Sequence, residues 1–236
     1  MHIAVVISLF VLLGTSFLLL ISPIEGASPN NSTLASPLYP PDSKPYGLTF
    51  GQWAMNWHKW LYSLPASINP ATDTTGKNCG QGQSGPVWFL AGTTGGMAIR
   101  TCTVPSGKAI LFPIIASECS YSENPNLSTE SELASCALGP DNGVTHLELT
   151  IDGRSIPDLS KYRAMSPLFS FVFPSDNVAG VKPGPTRGVA DGYWAIISPL
   201  SAGNHTIHFK AVALQYTTTA TATSFVIDTT YNLSIK

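Results

Sequence analysis

A change of hydrophobic period at Pro65 constrains what this chain can fold into more than any other feature. Before it, Phe50, Trp53, Trp57, Trp60, Leu61 and Leu64 recur at three- and four-residue steps, the spacing of a helix with one buried face. Thr49 followed by Gln52 makes a capping box and Pro65 ends the pattern, so the spacing predicts a helix over 49–64. Its three tryptophans fall on about one face and are expected to pack against a sheet, with His58 and Lys59 on a solvated flank. After Pro65 the pattern is that of strands, at 86–91, 97–104, 109–115, 146–151, 168–173, 193–197, 205–214 and 224–235. Turn residues such as Pro105-Ser106-Gly107 and Asp152-Gly153 separate them, and a β-meander is expected to start at 86. Within 205–213 the odd positions His205, Ile207, Phe209, Ala211 and Ala213 form one face, the expected core side.

Composition agrees with a strand-rich chain. The 236 residues include 20 Gly and 19 Pro, a load that argues against a helical bundle. Only 11% of residues are charged, 12 basic against 14 acidic, which leaves no basic surface for nucleic acid. The expected fold is mainly all-β: an antiparallel β-sandwich or jelly-roll-like domain over 47–236 with one packed N-terminal α-helix.

Residues 3–24 carry no charge and read as a signal peptide or N-terminal membrane anchor over 1–26. A Ser/Pro/Asn-rich linker over 27–46 follows. These segments place the domain outside the cell or on the outer face of its membrane, touching that membrane only through the N-terminus. Cys79, Cys102, Cys119 and Cys136 all follow the export segment, an even number suited to two disulfides. Thr129 and Glu132 form a second capping box, opening a short helix ended by Gly139-Pro140 that folds Cys136 back on Cys119. Cys79 and Cys102 are then the remaining pair. No CxxC occurs and no His lies two to four residues from a Cys, so neither a metal site nor a cofactor is expected. Asn-x-Ser/Thr tripeptides at Asn30, Asn31, Asn126, Asn204 and Asn232 are potential glycan acceptors.

Four runs carry a resemblance: 73–79, 85–92, 102–113, and Asp191-Gly-Tyr-Trp194 with Gly203-Asn-His-Thr-Ile-His208. They resemble a group of small exported microbial β-rich proteins with no assigned activity. The resemblance spans about 47–214 and implies an exported compartment and a compact β fold.

Candidate sites are few. The segment 174–191 reads as a long irregular loop holding Asp176, Lys182, Arg187 and Asp191, leading into Tyr193 and Trp194. Arg187 and Asp191 beside an aromatic ring would suit a polar ligand with a flat apolar side, and the two could equally form a salt bridge. Strand alternation exposes only one of Tyr193 and Trp194. Glu118 and Asp191 are the only carboxylates nameable as a hydrolytic pair. There is no Gly-x-Ser-x-Gly and no phosphate-binding glycine loop. His205 and His208, three apart on a strand, fall on opposite faces. The reading that follows is an exported, disulfide-stabilised, non-enzymatic binding or adhesion module whose partner is a glycan or an envelope component. The alternatives are a hydrolase of an extracellular polymer and a structural envelope subunit assembling through sheet edges.

Overall fold

The structure is a computed structural model that describes residues 36–216 and 222–236. The export segment expected at 1–26, residues 27–35 of the expected linker with Asn30 and Asn31, and residues 217–221 lie outside the described residues. Residues 36–46, assigned from their Ser/Pro content to the linker, pack onto the domain. Leu38 is buried and bridges Ile197, while the Tyr39 N–H donates to the Ile196 carbonyl at 2.9 Å. Leu38 and Pro45 are buried and Tyr39 packs against the core, which docks this segment along a strand.

Helix α1 (Phe50–Ser63) forms where the spacing places it. The Gln52 N–H donates to Thr49 Oγ1 at 3.2 Å and the Thr49 N–H donates to Gln52 Oε1 at 2.9 Å, completing the box. Trp53, Trp57 and Trp60 are buried, and each indole N–H donates to a backbone carbonyl, of Pro45, Leu90 and Gln81 respectively. His58 departs from the expected solvated flank: it is only 2% exposed. Met55, His58 and Tyr62 form a second stripe at three- and four-residue steps, turned towards a phenylalanine-rich strand.

The strands are β1 (Val87–Phe89), β2 (Gly96–Val104), β3 (Ala109–Ser120), β4 (Val144–Ile151), β5 (Arg154–Ser155), β6 (Phe169–Phe173), β7 (Gly184–Ile197), β8 (Gly203–Tyr216) and β9 (Ala222–Ile235). Between β3 and β4 lies helix α2 (Glu130–Asn142), opened by the Thr129/Glu132 box. It runs through Gly139 and Pro140 to a cap at Gly143. Pro140 is tolerated because it falls in the final turn, where the chain is about to leave the helix. Both disulfides, Cys79–Cys102 and Cys119–Cys136, join the pairs that the sequence indicates.

Two sheets result, ordered β1-β3-β7-β6 and β2-β9-β8-β4-β5. The protein is therefore mainly β with two helices, but the strand orders do not establish a jelly roll. The pairing is not wholly antiparallel, since β1 runs parallel to β3 and β2 parallel to β9. The 105–107 turn likewise joins no meander hairpin. It carries the chain from one sheet to the other, because β2 is taken up by β9, more than a hundred residues later. In β8 the odd positions Ile207, Phe209, Ala211 and Ala213 are buried as the alternation requires. Phe209 stacks on Phe112 of β3 with ring centroids 4.7 Å apart, joining the two sheets. On the opposite face of β3 and β7, Trp194 meets Trp57 and His58 of α1.

Pro113 breaks the β3 register. Pro113 pairs with Trp194 and Ile115 with Tyr193, leaving Ile114 as an extra residue. Proline has no N–H to give the ladder, so a bulge here costs less than a continuous strand would. Beyond it the facing alternation is inverted, and Ala116 and Glu118 join Pro113 on the α1 side.

Trp57 sits where α1, the Leu90 carbonyl and Trp194 converge. Trp57→Ala is expected to destabilise the fold by about 3–5 kcal/mol, read from the denaturant midpoint. An unchanged midpoint would contradict this packing.

Candidate functional site

The inverted alternation turns Glu118 into a cavity of about 180 Å3. Trp57, His58, Leu61 and Tyr62 of α1 form one wall and Pro113, Ala116 and Glu118 of β3 another. The wall is completed by Ala71, Gly92, Thr93, Thr94 and, from β9, Phe225 and Ile227. Thr94 is exposed and Thr93 and Phe225 half-buried, which puts the mouth on their side.

Both Glu118 carboxyl oxygens are withdrawn from solvent and neither has a hydrogen-bond partner. A Cβ on Gly188 would fall 2.0 Å from Glu118 Oε1, so glycine at 188 leaves the room that the carboxyl occupies. Burial, reinforced by the neighbouring Glu123, pushes the Glu118 carboxyl up to about 10. The Tyr62 hydroxyl and the Glu123 carboxyl are its polar neighbours and act on this titration, Glu123 raising it and Tyr62 lowering it. Burial, and then the same two carboxyls, raise Tyr62 well above the usual phenol range. Burial also lowers His58 to about 4, against a weaker opposing effect of the Ala54 carbonyl. That carbonyl lies 2.9 Å from Nδ1, which must therefore carry the proton and leave Nε2 an acceptor. At neutral pH the cavity thus presents a carboxylic acid, a phenol and a neutral imidazole among apolar walls.

The residues singled out around 174–191 are dispersed. Only 174–183 is loop, because β7 begins at Gly184. Arg187 is exposed on β7, while Asp191 is 2% exposed. Asp191 is held by Arg163, whose guanidinium approaches Oδ2 at 2.7 Å and also lies 5.6 Å from the Tyr193 ring centre. Arg187 and Asp191 are therefore not a pair; a position four residues away on a strand is too distant, and Arg163 arrives from another segment. Trp194 is buried and Tyr193 half-buried. Glu118 pairs with Ala190 and Ser117 with Asp191, so the two carboxylates of the hydrolytic alternative fall on opposite faces of the sheet. His205 bonds Asp152 at 2.7 Å and His208 bonds Asp228 at 3.0 Å, each on its own side of β8. Asn126, Asn204 and Asn232 are exposed.

The sequence offers Glu118 only as half of a hydrolytic pair and puts His58 on a solvated flank. The stripe Met55, His58, Tyr62 could have shown that the helix buries more than its tryptophan face. A second buried acid, Asp141, lies on the face away from α1. Burial, and then the Asp191 charge, raise it to about 7 against the pull of Arg163 and of the Ser117 backbone and side-chain groups. No protein-family model, curated protein or solved structure matches the chain.

These titrations give stability two opposed slopes. Asp141 keeps its proton in the native state up to about pH 7, whereas the unfolded chain releases it near the ordinary 3.8. Its contribution therefore falls as pH rises from about 4 to about 7. His58 stays neutral in the native state down to about 4 while the unfolded chain takes up a proton near 6.5, so its contribution falls as pH drops through that interval. Asp141→Asn is expected to gain in urea midpoint, relative to the parent protein, between about pH 5 and about pH 8. A difference that is the same at both pH values would refute the assignment.

Proposed function

We propose that this chain is an exported binding module that holds a small molecule in the cavity between α1, β3 and β9. The observation that carries the reading is the Glu118 carboxyl, buried and without a partner at the wall of an aromatic-lined space. An unsatisfied buried polar group costs about 1–3 kcal/mol, a cost a ligand bonded to it would relieve. The two disulfides fit an oxidising, extracellular-type compartment, and among the described residues no helix is long and apolar enough to cross a membrane. A volume of about 180 Å3 suits a molecule of roughly one ring, since about 150 Å3 of dry cavity is enough for benzene.

A glycan or envelope component as partner has separate support. A cleft of about 420 Å3 between α1 and residues 82–89 combines Trp53, Trp60 and Phe89 with the polar groups of Asn56, Lys59 and Ser63. It is the weaker site, because both tryptophans are buried and their N–H groups are already given to Pro45 and Gln81. A hydrolase built on Glu118 and Asp191 is disfavoured by their opposite facing.

Ligand-observed NMR with neutral, cationic and anionic fragments of about five to ten non-hydrogen atoms tests the cavity reading. Binding of at least one class is expected, and Ala116→Leu, which fills the space from its β3 wall, is expected to abolish it while near-ultraviolet circular dichroism stays native. Binding that survives Ala116→Leu, or binding only of oligosaccharides on a glycan array, would move the site out of the cavity.

A further inference from the structure

Resting on the cavity reading, we propose that the ligand is a small organic ammonium cation, its charge met by the Glu118 carboxylate and its alkyl groups by Trp57, Tyr62 and Phe225. Three features of the site point to this class. The first is the composition of the wall, which contains aromatic rings and one carboxyl but no Lys or Arg. Aromatic rings attract a cation through their negative faces, most strongly where water is excluded. The second is the distribution of charge around Glu118. Glu123 stands beside it, and among the described residues neither acid takes part in a salt bridge.

The third is what an anion would find. His58 and Tyr62 are the titratable groups that α1 turns to the cavity, and both are held neutral. From β7 the neighbours are Gly188 and Ala190, and from β9 Phe225 and Ile227, none of which titrates. The nearby guanidinium of Arg100 is engaged by the carbonyls of Ala71, Ala91 and Gly92 and by the Tyr231 hydroxyl. Its Nε is buried without a partner, but Arg100 does not line the cavity, and neither does any other Lys or Arg among the described residues, so a carboxylate or phosphate there would meet no cationic side chain on the wall. A cation, by contrast, meets the single group that can become oppositely charged. The exchange is balanced: the ammonium enters with its positive charge, and the Glu118 O–H gives its proton to solvent and becomes carboxylate.

Proton release makes the inference testable with choline, its uncharged carbon isostere 3,3-dimethylbutan-1-ol, and isovalerate as the anion. Calorimetric titration of the protein at several pH values should show choline binding at least about tenfold tighter than the isostere at about pH 8. Because the quaternary nitrogen of choline has no proton to lose, its affinity should rise about tenfold per pH unit from about pH 6 to about pH 8. About one proton should be released per molecule bound, read from buffers of different ionisation enthalpy. Glu118→Gln should flatten the pH dependence, and the proton count in the unaltered protein gives the same answer should that variant fold poorly. Equal or tighter binding of the isostere or of isovalerate would overturn the cation assignment and leave the cavity reading standing. A failure of all three, together with every neutral fragment, would overturn both.

Discussion

The bulge that Pro113 forces into β3 decides what each side of the central sheet can do. One extra residue, Ile114, inverts the alternation of the strand's second half. Phe112 stays on Phe209 in the space between the sheets, while Glu118 is turned to α1. With an unbroken register the carboxyl would lie on the face of α2 and Asp191, among charged neighbours. The bulge instead puts it beneath aromatic rings, where burial keeps it protonated. The candidate site is in this sense a product of a backbone irregularity, as bulges near sites often are.

The same sheet buries acids on its two faces under different terms. On the α2 face, Asp191 receives a guanidinium from Arg163, which also donates to the Asn142 side chain at 2.9 Å. Asp141, near the end of α2, has that guanidinium only at second hand and the Asp191 charge beside it. A helix C-terminus is the unfavourable end for a negative charge, which adds to the reason for its retaining a proton. Ser117 and Asp191, paired across β3 and β7, hold this cluster, and the Cys119–Cys136 bond fixes α2 over it. On the α1 face Glu118 has no salt-bridge partner among the described residues. Two carboxylates close in sequence register thus differ in character because one was supplied with a counter-charge and the other with a cavity.

Local rules made the local parts legible. Both helices open with capping boxes readable from Thr49/Gln52 and Thr129/Glu132, and both disulfides close loops short enough for spacing to indicate the partners. Most strand positions followed from turn residues and alternation. Strand partners did not, because parallel pairing of β2 with β9 joins Cys102 to Leu233 across the whole domain and leaves no local mark. The ionic partner of Asp191 was missed for a similar reason: Arg163 lies 28 residues away, while Arg187 is nearer in sequence and on the wrong stretch of strand. His58 was misplaced because a titratable residue on a helix is read as solvated, whereas here the neutral imidazole fills a position between Tyr62 and Trp194. Pro113 was visible throughout, but only the pairing shows that the strand continues past it.

How the sheets end bears on what the domain is for. An exposed edge strand invites pairing with another chain, and assembly through edges needs one that is long and bare. Here β1 has three residues and β5 two, and β6 has five. Among the described residues β5 pairs only with Thr150 and Ile151 and leaves 144–148 of β4 without a strand on that side. The long edge β2 is met near its centre by a loop, the Thr101 N–H donating to the Thr75 carbonyl at 2.9 Å. The close approach needs glycine at 76, where a Cβ would fall 2.3 Å from the Thr101 carbonyl oxygen. Asp73 organises that loop by accepting the N–H groups of Thr75 and Asn78, each at 2.8 Å, and Cys79 bolts it to Cys102 of the same strand. A disulfide, a glycine and a buried aspartate thus hold one loop against β2, while Met97 and Ile99 of the same strand stay exposed.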